Sequence, residues 1–341
     1  MTTTQTSVVH DLGTLAHRLS HPARTPCVCE PPQVLADRPD GTVVRSGAIV
    51  AKAHAADTDR EALTARIALA AAPQLAGILL PPLTAPEPAA PTARPVTLWP
   101  LGAPVDPTDP GAAPWAEAAD LLARLHRTEP PFPLPPMRGP AKAARAVARM
   151  RAALRGDAIT PPRDPAVGPG DATAPPRDPA ALSVLAGWRA LPAWARGEAP
   201  APAPGADALC HGDLHLGQLV RHPAPDGPWL LIDMDDAGVG DPAWDLGRPA
   251  AWYAAGLLAP EDWSTFLDAY RAAGGPAVPA DGDPWPALDV PARALTVQTA
   301  AVALAKCAAE QRDPDDHEQL MIESCARIAT LPPELATGPA S

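Results

Sequence analysis

His211-Gly212-Asp213-Leu214-His215-Leu216-Gly217-Gln218, then Ile232-Asp233-Met234-Asp235-Asp236, then Gly240-Asp241-Pro242-Ala243-Trp244-Asp245-Leu246-Gly247 decide the fold. Between the first two stretches lie two short, mainly apolar runs, Leu219-Val220-Arg221 and Trp229-Leu230-Leu231-Ile232. The segment joining them carries Pro223, Pro225 and the turn signal Asp226-Gly227. Two such runs around such a turn read as a β-hairpin. In a hairpin, the residue before the first strand lies beside the residue after the second. Gln218 and Asp233 are therefore expected as neighbours, with Asp213 in the loop leading in.

Taken together these residues resemble the catalytic core of the aminoglycoside phosphotransferase family, the small-molecule kinases with a protein-kinase-like fold. The family carries an H-G-D-x-x-x-x-N loop, a strand ending in I-D, and then G-D-P-x-x-D-L. Residues 210–247 match with one departure, Gln218 for the family's Asn. Three linked elements in order and spacing are far more specific than a lone motif. The resemblance implies an α+β bilobal protein-kinase-like fold. Its small N-terminal lobe is an antiparallel sheet with one helix, and its larger C-terminal lobe is mostly helical.

The resemblance also implies roles. Asp213 becomes the catalytic aspartate that orients the substrate hydroxyl or accepts its proton. Asp233 becomes a magnesium ligand, Gln218 takes the Asn position on the metal, and Asp235 is a further candidate. The cofactors implied are ATP (or GTP) and Mg2+. Such chemistry needs these residue types, because phosphoryl transfer spreads charge over phosphate oxygens that the site must position and neutralise. The aspartate matching Asp245 braces the catalytic loop in the family. Asp235 and Asp236 read equally well as solvated acids, and His211 as a packing residue of the loop.

Composition narrows the rest. The chain has 341 residues, enough for two lobes, and a net charge of −12. That charge argues against a nucleic-acid partner and is compatible with a cationic small substrate. Residues 1–21 lack the apolar core of a signal peptide, and no stretch is apolar enough to span a bilayer. Cys27, Cys29, Cys210, Cys307 and Cys325 form an odd, sparse set, pointing to reduced thiols and a cytoplasmic home. The sequence contains no asparagine, so a carboxamide metal ligand must be glutamine. Its only lysines are Lys52, Lys142 and Lys306. A lysine within an apolar strand is thus less easily accidental in this arginine-preferring chain.

Lys52 sits in Ala48-Ile49-Val50-Ala51-Lys52-Ala53-His54. By the resemblance it contacts the α- and β-phosphates; an edge-strand guard lysine is the competing reading. Its family partner is a glutamate on the next helix, which makes Glu61 the candidate. Glu61 equally suits a capping box with Thr58 as N-cap. No G-x-G-x-x-G is present, and Ala36 to Gly41 is the segment left for a phosphate loop. Val96 to Trp99 reads as a strand entering Pro100-Leu101-Gly102. By the resemblance this segment is the hinge, which makes Trp99 to Gly102, with Trp99 and Leu101 among them, candidates for adenine, and a plain loop is the competing reading.

The expected organisation is an N-terminal lobe over 1–98, a hinge at 99–102 and a C-terminal lobe over 103–335. Amphipathic spacing predicts a helix from Trp115 to His126, with later helices near 261–273, 292–311 and 317–329. Pro161-Pro162-Arg163-Asp164-Pro165-Ala166 recurs at Pro175 to Ala180, marking 155–180 as a Pro-rich insert. The acceptor favoured is an aminoglycoside-like or other amine-bearing compound. The His-Leu-Gly-Gln form of the loop also resembles the maltokinase branch. A kinase-like protein that binds nucleotide without transfer is the third reading.

Overall fold

The computed structural model describes residues 3–21, 30–38, 40–83, 94–155, 178–200 and 207–331, with side chains in the first helix from Val8 onward. In chain order its elements are α1 (Thr3–Ser20), β1 (Gln33–Arg38), β2 (Gly41–Ser46), β3 (Ile49–His54), α2 (Arg60–Ala70), β4 (Val96–Pro100), β5 (Ala103–Pro104) and α3 (Trp115–Arg127). There follow α4 (Gly139–Leu154), α5 (Pro179–Ala190), β6 (Ala208–Cys210), β7 (Leu219–Arg221), β8 (Trp229–Leu231) and β9 (Gly238–Gly240). The chain closes with α6 (Ala243–Ala255), α7 (Pro260–Ala272), α8 (Trp285–Glu310) and α9 (Asp316–Ile328). Contacts divide the chain into two compact units: residues 1–121, 128–135 and 216–235, and residues 122–127, 136–215 and 236–341.

The first unit is built on an antiparallel sheet in the order β1-β2-β3-β4. Period-2 alternation sends Val44, Ile49, Ala51, Ala53 and Leu98 to one face. There they bury against Leu12 and Ala16 of α1, with Val8, Val9, Leu15 and Leu19 packed around them. Those α1 positions recur at helical spacing, which explains why the lead-in forms a helix. Burying a leucine such as Leu12 contributes about 1.5–3 kcal/mol. Of residues 36–41, the segment left for a phosphate loop, 36–38 and 41 pair at the end of the β1–β2 ladder, with Arg38 opposite Gly41. Pro39 lies outside the described residues.

β7 and β8 form the expected hairpin, with Leu219 opposite Leu231, and β5 joins at Ala103 opposite Arg221. One expectation for α2 is corrected. Its N-cap is Asp59, whose carboxylate accepts from the amides of Glu61 and Ala62 at 3.0 and 3.1 Å, and not Thr58. Asp59 holds the extended backbone of a cap, and its carboxylate meets the free amides of the first turn.

The second unit centres on α8, whose Ala-rich surface lets α4, α6, α5 and α9 approach it. Gly247 of α6 is needed for that approach, because a Cβ there would lie 3.0 Å from Pro291. α8 begins earlier than the expected 292, at Trp285. Pro286 suits its first turn, and Pro291 is accommodated within it. α9 starts with a capping box between Asp315 and Glu318. The insert expected over 155–180 is corrected at its end. Asp178 caps α5 by accepting from the amide of Ala180, and Pro179 occupies the first turn. Asp178-Pro179-Ala180, the end of the second copy, thus serves as a helix start, and residues 156–177 lie outside the described residues, as do Cys27 and Cys29. Among the described residues no helix is long and apolar enough to cross a membrane.

Candidate active site

Within the first unit, strand β3 and the end of the β7–β8 hairpin bring four sequence-predicted residues together. Lys52 Nζ lies 2.6 Å from Asp233 Oδ1 and 2.9 Å from Asp235 Oδ2. Burial works against its ammonium, but the two carboxylates outweigh that, and its pKa stands above the ordinary lysine value. Asp235 shifts oppositely. Burial alone would raise it, while the His54 hydrogen bond and Lys52 hold it well below the usual carboxylate range. Asp233 adopts φ of +64°, a left-handed backbone that costs a non-glycine residue about 1–3 kcal/mol. Such strain persists where the surroundings fix it, and here it turns the carboxylate towards Lys52.

Gln218 is buried at the end of a short 3-10 turn, and its Nε2 lies 3.4 Å from Asp233 Oδ2. The hairpin reading therefore placed these two residues correctly as neighbours. Asp233, Asp235 and Gln218 together offer hard oxygen donors of the kind magnesium takes. The amide must turn over for its oxygen, and not its NH2, to face a cation bound at Asp233.

The other expected nucleotide contacts fare unevenly. Glu61 does not pair with Lys52, which is held by Asp233 and Asp235. It is exposed on α2, lining a surface groove with Arg60, Thr64 and Phe132. Trp99 donates its indole N–H to Thr97 Oγ1 at 3.0 Å. Leu101 is already satisfied. Its N–H donates to Ala48 O at 2.8 Å, and its carbonyl lies 3.1 Å from His222 Nδ1. Gly102 packs so closely on Val220 that a Cβ would lie 2.5 Å from it.

One residue here was missed. His54 is buried, with Nδ1 3.2 Å from Asp235 Oδ2 and Nε2 2.9 Å from Thr97 Oγ1. The available signal was its spacing. Two residues along a strand from Lys52, it must share Lys52's face.

The second unit holds Asp213, the aspartate expected to be catalytic. Asp213 Oδ2 lies 2.5 Å from Lys142 Nζ on α4, and Oδ1 lies 2.6 Å from Arg248 on α6. Burial would raise this carboxyl, but Lys142 and Arg248 carry it down to about 2. Lys142 Nζ also reaches Asp236 Oδ2 at 2.7 Å. Neither Lys142 nor Arg248 was singled out from sequence, because α4 and α6 meet the loop only through tertiary packing. Lys142 was nonetheless one of three lysines.

Beneath Asp213 lies a buried brace. Asp245 accepts from the amides of His211 and Gly212 at 2.6 and 2.7 Å, and its Oδ2 lies 3.0 Å from His126 Nε2. His126 Nδ1 in turn meets Tyr270 Oη at 2.8 Å. Burial pushes the Tyr270 phenol up, so its hydroxyl keeps its proton and donates to Nδ1. His126 then donates from Nε2 to Asp245, whose carboxyl stays below the usual range despite its burial. Gly212 must be glycine: φ is +83°, and a Cβ would lie 2.3 Å from Asp236 O. Cys210 is a buried free thiol beside this brace.

The sequence model of the phosphotransferase enzyme family matches residues 43–288. Among solved structures, the choline kinase of Cryptosporidium parvum Iowa II is 10% identical, with a TM-score of 0.55 and 90% of each chain covered. Choline kinase LicA of Streptococcus pneumoniae is 12% identical, with a TM-score of 0.52, covering 96% of this chain and 99% of its own. An ethanolamine kinase of Plasmodium vivax is 12% identical, with a TM-score of 0.50, covering 94% of this chain and 86% of its own. Identities this low establish the shared fold. No curated protein matches the chain.

Proposed function

The chain belongs to the phosphotransferase enzyme family, and from that premise we propose that it transfers the terminal phosphoryl group of ATP or GTP to a hydroxyl of a small molecule. The observation that carries this reading is the cluster of Lys52, Gln218, Asp233 and Asp235. It sets one cation for phosphate oxygens beside three oxygen-bearing side chains for a metal. Gln218, Asp233 and Asp235 would hold magnesium, which when bound neutralises phosphate charge.

Each chain residue then has a defined task. Lys52 exchanges its carboxylate partners for phosphate oxygens of the nucleotide. Asp213, ionised at all physiological pH, orients the acceptor hydroxyl and receives its proton as the oxygen attacks phosphorus. Asp245 acts through the backbone of the catalytic loop, fixing where Asp213 stands. With Leu101 engaged on both sides, adenine would meet the carbonyl of Pro100 and the N–H of Gly102 at a hinge over 99–102. A lobe boundary there, and a cytoplasmic home where the triphosphate is available, complete the proposal.

The departure at Gln218 supports a second reading, a maltokinase-like sugar kinase with a neutral polyol acceptor. The amine-bearing acceptor favoured by the family resemblance gains nothing from Asp213's surroundings, since Lys142 and Arg248 are cations. A third reading, nucleotide binding without transfer, keeps Lys52 and loses the task of Asp213. The test of binding is a thermal-shift titration with ATP and GTP plus magnesium. A ligand that binds only the folded state raises the melting temperature, and Lys52→Ala and Asp233→Ala should each reduce that rise. No shift in wild type at millimolar triphosphate would remove the nucleotide from the account.

A further inference from the structure

The residues from 138 to 155, α4 with its two flanking positions, carry Arg138, Lys142, Arg145, Arg149, Arg151 and Arg155 and no acidic residue, in a chain whose net charge is −12. Arg138, Lys142, Arg145 and Arg149 recur at spacings of four, three and four, which places them along one side of the helix. That side is where Asp236 and Asp213 lie. Lys142 bridges the two carboxylates at 2.7 and 2.5 Å. Arg138 and Arg145 approach Asp236 Oδ1 only at 4.0 and 3.9 Å, and their side chains stay 38% and 53% exposed. Arg248 adds a further cation on Asp213. Its Nε is buried without a hydrogen-bond partner among the described residues.

Four cations thus stand against two carboxylates. The surplus is not relieved locally: burial, together with repulsion from Arg138 and Arg149, draws the Arg145 guanidinium below the usual arginine range despite the attraction of Asp236. A guanidinium with an uncommitted edge recognises carboxylate and phosphate through paired N–H donors. A quaternary or protonated amine brought to the same place meets like charge.

We propose that the hydroxyl acceptor carries an anionic group, a carboxylate or a phosphate, and that Arg138 and Arg145 of α4 receive this group beside Asp213. This rests on the kinase reading for the meaning of Asp213. The anion site itself is a property of the second unit and is testable without nucleotide. Arg138 and Arg145 are binding and specificity residues, and Asp213 remains the proton acceptor.

The experiment is calorimetric titration of the nucleotide-free protein with D-glycerate, glycerol 3-phosphate, choline and 2-deoxystreptamine. The expected result is saturable binding of at least one of the two anions and none of the two cations. The Arg138→Gln/Arg145→Gln double variant should weaken the anion about tenfold or more, and Arg138→Lys/Arg145→Lys should restore part of it. Glycerate and glycerol 3-phosphate separate a carboxylate site from a phosphate site. The Lys52→Ala variant should bind the anion as wild type does, because its nucleotide cluster lies in the other unit. Loss of anion binding in Lys52→Ala would mean that the anion occupies the triphosphate site, and would overturn the proposal. So would choline or 2-deoxystreptamine binding in preference to the anions, anion binding untouched by the double variant, or no anion binding in wild type. A wild type that binds the anion and ignores ATP would sink the kinase reading alone.

Discussion

Lys52 and Asp233 lie 181 residues apart in sequence, yet Lys52 Nζ donates to Asp233 Oδ1 at 2.6 Å. The ammonium therefore occupies the carboxylate that a magnesium ion would take. Magnesium held at Asp233 would compete with the lysine until a triphosphate drew the lysine away. Lys52→Met should then bind magnesium alone more tightly than wild type while responding less to ATP. Melting temperature against magnesium without nucleotide reports this directly. A magnesium response identical in both proteins would show that the lysine does not guard the site.

Asp245 is almost fully buried and takes two loop amides and His126 at once. Asp245→Asn keeps the shape, but one of its two acceptors becomes a donor facing an N–H. Losing charge-assisted bonds in a buried setting costs about 2–4 kcal/mol. Urea unfolding should record a loss of that order, and turnover should fall through misplacement of Asp213. A variant as stable as wild type would mean that the brace contributes little.

His215 should make the fold sensitive to mild acid. Its pKa falls from 6.5 to about 4, first through burial and then through the repulsion of Arg248. The folded value lies below the unfolded one, so the unfolded chain binds more protons between the two. Stability is full above pH 6.5, declines as pH falls through that window, and levels off near 4 as regards this residue. His215→Gln, which cannot titrate, should flatten the decline. Equal slopes for the two proteins in that window would assign the acid sensitivity elsewhere.

The hairpin, the Asp245 brace and the strand-borne Lys52 were legible because each is local, or because its motif fixes chain spacing. Gln218 and Asp233 had to meet once β7 and β8 paired. Asp59 was misread because Thr58, Asp59 and Glu61 satisfy two overlapping cap patterns, and only the backbone of the first turn decides between them. Lys142, Arg248 and His54 escaped for a different reason. Their partners lie far off in sequence, 181 residues away for His54 and 35 for Arg248, and the only local mark was the strand face that His54 shares with Lys52. The second Pro-rich copy was read as low complexity although Asp178 and Pro179 are a good helix start. Composition masked position.

Lys142 should govern the acid limb of catalysis. Lys142 and Arg248 hold the Asp213 carboxyl down at about 2, so it stays ionised below the ordinary carboxylate range. Lys142→Met removes one cation and leaves the burial, which moves Asp213 upward. The pH–rate profile of the variant should lose activity on the acid side at a higher pH than wild type. The carboxylate's contribution to folding should shift with it, since a depressed folded pKa stabilises above the ordinary carboxylate value and is lost on acidification. An unchanged acid limb would remove Lys142 from the electrostatics of Asp213.

The central claim is metal-dependent phosphoryl transfer with Asp213 as the proton acceptor and Gln218 as a metal ligand. The most direct measurement is the rate of ATP consumption across a magnesium titration, with the anionic and polyol alcohols as acceptors, in wild type, Asp213→Asn and Gln218→Leu. The account predicts acceptor-stimulated turnover in wild type. Asp213→Asn should keep its ATP-induced thermal shift and lose transfer by roughly 10²–10⁴-fold. Gln218→Leu should need more magnesium and turn over more slowly, with its fold intact. Transfer at wild-type rate by Asp213→Asn, or a Gln218→Leu titration superimposable on wild type, would contradict it.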